Sequence, residues 1–180
     1  MKKRNLRKLI LSAMFMGIGL VLPFLTGQIQ QFGNMLLPMH IPVLLCGLIC
    51  GPFHGLIIGF VLPVIRSLVF TMPVMYPNAI AMAFELATYG LIIGLAYRMS
   101  GQKNLKAIYI SMIVSMISGR IVWGFAEVVL LGIKNQAFTL EAFVAGGFAN
   151  AVPGIVLQLI LIPAIMMALN KSGLMVSENK

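Results

Sequence analysis

The stretch HIPVLLCGLICGPFHGLIIGFVLPVIRSLVFTMPVMYPNAIAMAFELATYGLIIGLAY, residues 40–97, decides the fold expected of this chain. It consists of three apolar runs that are separated by Gly-Pro, Met-Pro and Tyr-Pro steps. Arg66 and Glu85 lie inside two of these runs, among residues that partition into lipid. Charges in such positions are expected to face protein or water rather than acyl chains, so this stretch is the first candidate for a binding site.

The composition of the whole chain excludes a soluble globular protein. Of its 180 residues, 60% are hydrophobic and only 9% are charged, whereas soluble domains carry about 25% charged residues. A soluble domain of this composition would expose far more apolar surface than a monomer usually carries. We therefore expect a single all-α domain over residues 1–180 that crosses the cell membrane several times.

Six segments approach the length of about 20 apolar residues that a membrane-spanning helix needs. Charged residues or Pro/Gly breaks separate them. The predicted helices are 9–25, 35–50, 54–72, 78–97, 107–132 and 142–169.

The net charge of +9 agrees with this membrane topology and does not indicate nucleic-acid binding. The basic residues precede the first apolar run, cluster within 98–106 and follow the last run, instead of lining one face. Cytoplasmic loops carry an excess of Lys and Arg, so all three regions are expected in the cytoplasm. Six crossings place both termini and the 98–106 loop there, in agreement with the charges.

Polar side chains recur at helical spacing in the fourth and fifth segments. Asn78 and Glu85 are seven residues apart and therefore share one helix face, and Arg120 and Glu127 repeat this spacing with Trp123 between them. A buried Arg120 needs a partner such as Glu85, Glu127 or an anionic ligand. These stripes predict one wall of a solute site.

Further residues are expected to complete that site from neighbouring segments. Asn34 and His40 lie at the external entrance, Tyr76 belongs to the external loop before the fourth helix, and Asn150 lies about two turns inside the sixth. Arg66 either reaches the site or extends to the outer headgroups. The predicted substrate-binding residues are Asn34, His40, Arg66, Tyr76, Asn78, Glu85, Arg120, Trp123, Glu127 and Asn150.

Catalytic and cofactor chemistry is not indicated. The chain contains no aspartate, no phosphate-binding glycine loop that ends in Lys-Ser/Thr and no HExxH motif. Cys46 and Cys50 lie four apart in an apolar helix without other ligands nearby, so they are interpreted as buried small residues and not as a metal site. We expect no enzyme activity, no cofactor and no bound metal.

Ala13 and Gly17 form a groove on the first helix, because residues four apart lie on the same face. Small residues at this spacing let another helix backbone approach closely. The partner is either another helix of the same chain or a separate membrane subunit.

The whole chain resembles the substrate-binding S-components of energy-coupling factor (ECF) vitamin transporters. The resemblance rests on six helices in about 180 residues, the basic N-terminus, the Ala13/Gly17 groove, and the stretches IPVLLCGLICGPFHGLIIG and MYPNAIAMAFELATYGLIIGLAY. It implies that an AxxxA-like motif, here Ala13-x-x-x-Gly17, docks a membrane coupling subunit. It further implies transport by toppling of the subunit in the bilayer, driven by two ABC-type ATPases.

Within that family the sequence looks most like the pantothenate-type group, with pyridoxine-type relatives close behind. Two deep arginines, one of them balanced by a glutamate, would leave a cation for the carboxylate of pantothenate. Two other interpretations remain open. In a structural or regulatory subunit, Arg66, Glu85, Arg120 and Glu127 would pair with one another. A channel would need polar residues along the full path, and these become sparse toward the cytoplasmic half.

Overall fold

The computed structural model describes residues 2–26, 35–101 and 104–172, and the elements found in these ranges are helical. Within these ranges, six helices of ten residues or more follow one another, and short turns connect those between which every residue is described. They are α1 (Lys2–Val21), α2 (His40–Ile49), α3 (Pro52–Phe70), α4 (Met75–Met99), α5 (Leu105–Ile133) and α6 (Leu140–Lys171).

Five of the described helices are long and apolar enough to cross a membrane, and α2 is the one that is not. Its ten residues extend only about 15 Å, roughly half of the hydrocarbon core. The predicted helix 35–50 is therefore too long at its start. Leu37 has φ = 49° and precedes Pro38, a position where helical backbone is disfavoured, so α2 begins only at His40. Six crossings remain a prediction.

The other predicted helices are found with shifted ends. The first extends back to Lys2 and changes at Leu22–Thr26, around Pro23, into a 3₁₀ turn. Local sequence explains two of the observed starts: Asn104 accepts a hydrogen bond from the Ala107 amide and Thr139 accepts one from the Ala142 amide. The predicted segments 54–72, 78–97, 107–132 and 142–169 correspond to α3, α4, α5 and α6.

Helix α4 occupies the middle of the bundle, between α3 and α5, and α2 is buried beside it. Glycines allow this packing. A Cβ atom at Gly90 would collide with the backbone of Gly55, and one at Gly59 would collide with the backbone at Leu86. Gly47 of α2 and Gly55 and Gly59 of α3 thus face α4, so three helix backbones lie close together at the core.

Candidate functional site

A cavity of about 160 Å³ lies between the start of α2, the α3–α4 loop, α4, α5 and α6. Its wall contains both polar groups and methionine, proline and tryptophan side chains. Seven of the ten residues predicted to bind substrate line it: His40, Asn78, Glu85, Arg120, Trp123, Glu127 and Asn150.

Helical spacing explains how α4 and α5 supply most of this wall. Asn78 and Glu85 lie on one face of α4, and Arg120, Trp123 and Glu127 lie on the facing side of α5. The fourth and fifth helices therefore present their polar faces to each other, as their sequences predict. Their role in binding a substrate remains a prediction.

Helix α6 contributes through an irregular turn. Residues Ala145–Ala149 form a π-helical turn, and the Asn150 amide donates to the Ala145 carbonyl at 2.9 Å. Such turns are frequent at functional sites. This one brings Gly146 and Asn150 to the cavity.

One ion pair dominates the floor of the cavity. Arg120 Nη1 lies 2.9 Å from Glu85 Oε1, and both side chains are buried. His40 Nε2 lies 3.5 Å from the same oxygen, too far for a normal hydrogen bond, and the His40 ring packs edge-on against Tyr89. Glu85 of α4 therefore forms an ion pair with Arg120 of α5 and lies beside the His40 ring of α2.

Several buried polar atoms at the cavity have no partner among the described residues. Arg120 Nε, Arg120 Nη2 and both ring nitrogens of His40 make no hydrogen bond there. Glu127 is 5% exposed and forms no ion pair or hydrogen bond with a described residue. Buried polar groups normally have partners. A bound solute with both donor and acceptor groups would supply them.

Trp123 is held at the cavity wall by an aromatic cluster that sequence analysis did not identify. Its ring stacks on Phe143 at 6.1 Å with an interplanar angle of 23° and meets the edge of Phe138 at 5.7 Å. A Cβ atom at Gly146 would lie 3.0 Å from the Trp123 ring, so glycine lets α6 approach it. The Gly146-Gly147 pair within an apolar run was the available signal.

Arg66 does not line the cavity. Its guanidinium donates to the Leu20 carbonyl, and its central carbon lies 5.0 Å from the Phe24 ring centre and 5.3 Å from that of Phe70. The last carbonyls of a helix have no partner within the helix, and α1 ends at Val21. Arg66 thus fastens the end of α1 to α3, a role that was not among those predicted.

Tyr76 does not line the cavity either. The Tyr76 hydroxyl donates to the Leu130 carbonyl, and Lys134 Nζ lies 4.5 Å from the centre of its ring. Tyr76 therefore anchors the start of α4, and with it the preceding α3–α4 loop, to the end of α5; the nearby Pro73 and Asn78 line the cavity. Asn34 lies outside the described residues.

The two faces of α1 differ. Ala13 and Gly17 are exposed, and no atom lies within 4 Å of a Cβ placed on Gly17. Ser12 is buried, and a Cβ atom at Gly19 would meet Leu62 and Pro42. The Ala13/Gly17 groove is thus open, and Ser12 and Gly19 form the inner contact.

No other site chemistry emerges from the described part of the chain. Cys46 and Cys50 are free and buried, and Cys46 Sγ lies 3.7 Å from Ser12 Oγ. No group of three or more metal-ligating side chains occurs among residues 2–26, 35–101 and 104–172.

A bundle of apolar helices around a small cavity with unpaired polar groups defines a polytopic membrane protein with a candidate site for a solute. Comparison with known families agrees with this class. The family model for the ECF transporter substrate-specific component matches residues 7–176, and the chain therefore belongs to that family. Members are transporter subunits and not enzymes; they bind small-molecule substrates and work with a membrane coupling subunit and ATPases. No curated protein and no solved structure matches the chain.

Proposed function

We propose that this chain is the high-affinity substrate-binding subunit of an ECF importer and that it takes up a small polar vitamin or vitamin precursor. Its binding site is the cavity formed by α2, α4, α5 and α6. The observation that carries the proposal is that Arg120 and His40 have buried polar atoms without partners at the same cavity that Glu127 lines.

Pantothenate is the first candidate ligand. The Nε and Nη2 groups of Arg120 have no partner in the described structure, and a guanidinium binds a carboxylate through two parallel hydrogen bonds. The support from charge is nevertheless weaker than the sequence indicated, because Arg66 lies outside the cavity and Arg120 already pairs with Glu85.

A pyridoxine-type vitamin is the second candidate, and two different observations favour it. The Trp123 ring offers a surface on which a flat heteroaromatic ring can stack, and Glu127 offers a carboxylate to its hydroxyl or N–H groups. Pantothenate has no aromatic ring and uses neither feature as fully.

The binding proposal is tested on the purified full-length protein. We expect mass spectrometry of the extracted protein to detect a copurifying vitamin, and calorimetry to give a Kd that Arg120→Lys raises at least tenfold. Lysine keeps the positive charge beside Glu85 but lacks the forked donors of arginine. Full retention of affinity in Arg120→Lys would contradict this assignment of the site.

We also propose that the Ala13/Gly17 groove docks the membrane coupling subunit, which two ATPases drive. The open surface at Gly17 supports this role. Gly17→Leu should abolish uptake into cells and copurification of the coupling subunit but leave ligand affinity unchanged. Gly132→Leu on α5 is the matched control, because that glycine is also exposed with no atom within 4 Å of its added Cβ. Normal uptake by Gly17→Leu would exclude the docking role.

The alternative of a structural or regulatory subunit receives less support. It predicts that the four buried charges neutralise one another and that apolar side chains fill the space between them. Only Glu85 and Arg120 form such a pair among the described residues, Arg66 lies near Phe24 and Phe70, and Glu127 faces a cavity. A purified protein that binds no vitamin and carries none from the cell would favour this alternative.

A further inference from the structure

We infer that Glu127 selects the substrate and that the substrate presents a positively charged N–H group to it, as a protonated heteroaromatic or aliphatic amine does. This inference deepens the proposed function and rests on it. It concerns the chemical class of the ligand in the cavity already described.

The first step is the count of charged groups that line the cavity. They are one guanidinium, Arg120, and two carboxylates, Glu85 and Glu127; His40 adds one imidazole. Arg120 already forms an ion pair with Glu85, in which Nη1 lies 2.9 Å from Oε1. No other Lys or Arg among the described residues lines the cavity. Arg66, which would have balanced the count, is directed to the Leu20 carbonyl and two phenylalanine rings. Counting the guanidinium against the two carboxylates leaves one carboxylate in excess.

The second step is the cost of that carboxylate in its surroundings. Glu127 is only 5% exposed and lies in an apolar bundle, where an unpaired charge is strongly disfavoured. A ligand cation at this place would form a second ion pair. A ligand carboxylate would instead bring a third negative group to a site with a single guanidinium, which opposes binding.

The third step concerns the remaining contacts. The ring of Trp123, held by Phe143 and Phe138, borders the same cavity and attracts cations through its face. Arg120 Nε and Nη2 have no partner in the described structure and can donate to a ligand acceptor such as a hydroxyl oxygen. The wall thus fits a compact ring that carries a cationic N–H group and hydroxyl acceptors. Between the two candidates, this description fits the pyridoxine type, whose ring nitrogen binds a proton, better than pantothenate.

The test compares pyridoxine, pyridoxamine and pantothenate as probes on the purified full-length protein by calorimetry. We expect pyridoxine and pyridoxamine, the two probes with a protonatable ring nitrogen, to bind the wild type. Glu127→Gln should weaken their binding by roughly ten- to a hundredfold, since a neutral amide of the same shape loses the charge-assisted contact. Glu141→Gln is the matched control, because Glu141 is exposed at the start of α6 and does not line the cavity. Thermal unfolding in detergent verifies that each variant is folded.

The outcomes separate this inference from the proposed function. Tight binding of pantothenate alone, with Glu127→Gln leaving its Kd unchanged or lower, would overturn the inference and leave the vitamin-binding function intact. Equal affinity of the wild type and Glu127→Gln for pyridoxine and for pyridoxamine would also overturn it. Binding of no vitamin at all, together with no copurified small molecule, would overturn the proposed function itself.

Discussion

Arg66 and Arg120 are both buried arginines in apolar helices, yet their neighbours give them different roles. Arg120 lies opposite Glu85 and retains two unpaired donor groups at a cavity. Arg66 contacts a backbone carbonyl and two aromatic rings, and no cavity residue uses its charge. At the scale of single residues, the contacts of each arginine decide whether its charge faces the cavity or connects helices.

Replacing Arg66 by alanine should lower stability and spare binding. The change removes the hydrogen bond to Leu20 and two cation–π contacts, together worth roughly 1–3 kcal/mol. The melting temperature in detergent should therefore fall, and the Kd for the vitamin should stay within about twofold of wild type. A large loss of affinity at an unchanged melting temperature would contradict this role and indicate that Arg66 contacts the ligand.

Tyr76→Phe tests the anchoring role of the hydroxyl. The variant keeps the ring beside Lys134 but loses the hydrogen bond to the Leu130 carbonyl, which is typically worth about 1 kcal/mol. Because the loop it holds contributes Pro73 to the cavity, we expect ligand release to become faster in stopped-flow measurements. If the hydroxyl contacted the ligand directly, the loss would instead depend on which vitamin analogue is used.

At the scale of elements, backbone contact between glycines joins the short helix α2 and the long helix α3 to α4. Gly47 and Gly55 both face Gly90, and Gly59 faces Leu86. This scaffold holds α4 in place, and α4 carries Asn78 and Glu85 to the cavity. Close packing of the α2, α3 and α4 backbones thus helps to determine the position of two of the cavity's polar side chains.

Gly90→Ala should destabilise the protein markedly. The added methyl group would collide with the backbone of Gly55, which cannot move aside as a flexible side chain can, and overpacking of this kind costs about 1–3 kcal/mol or more. We expect a lower melting temperature and less folded protein in detergent. Gly132→Ala, at a helical glycine with no atom near its added Cβ, should have no such effect. Equal stability of both variants would contradict the proposed packing.

At the scale of the whole molecule, the number of membrane crossings depends on α2. The charge distribution predicts six crossings with both termini inside, but α2 is only ten residues long, and nine of them are buried in the bundle. A buried helix of this length can cross only if neighbouring segments complete the path.

Labelling from outside the cell with an impermeant thiol reagent tests this topology. Residues on either side of α2 are compared as Met35→Cys and Phe53→Cys, both at exposed positions. Six crossings predict that Met35→Cys reacts and Phe53→Cys does not. The exposed positions Gln136, just after the end of α5, and Met99, the last residue of α4, provide the matched pair, of which only Gln136→Cys should react. Labelling of both Met35→Cys and Phe53→Cys would mean that α2 does not cross.

Local sequence was sufficient for the membrane class and for the faces of individual helices. Apolar run length and composition predicted a helical membrane protein, because lipid requires backbone hydrogen bonds to be formed within each segment. Helical spacing alone grouped Asn78 with Glu85 and Arg120 with Trp123 and Glu127, and each group does share one face. The late start of α2, by contrast, follows from the turn at Leu37 before Pro38, a short-range signal that the prediction overlooked.

Only the tertiary structure decided which faces meet. The packing of α4 between α3 and α5 pairs Glu85 with Arg120, brings His40 to the same oxygen and leaves Glu127 without a described partner. The same packing directs Arg66 toward the end of α1. The spacing of residues along a helix determines the direction of each side chain relative to its own axis. The rotation of each helix against its neighbours depends on contacts between distant segments, such as those of Gly55 and Gly90, and these contacts select the partner of every buried charge.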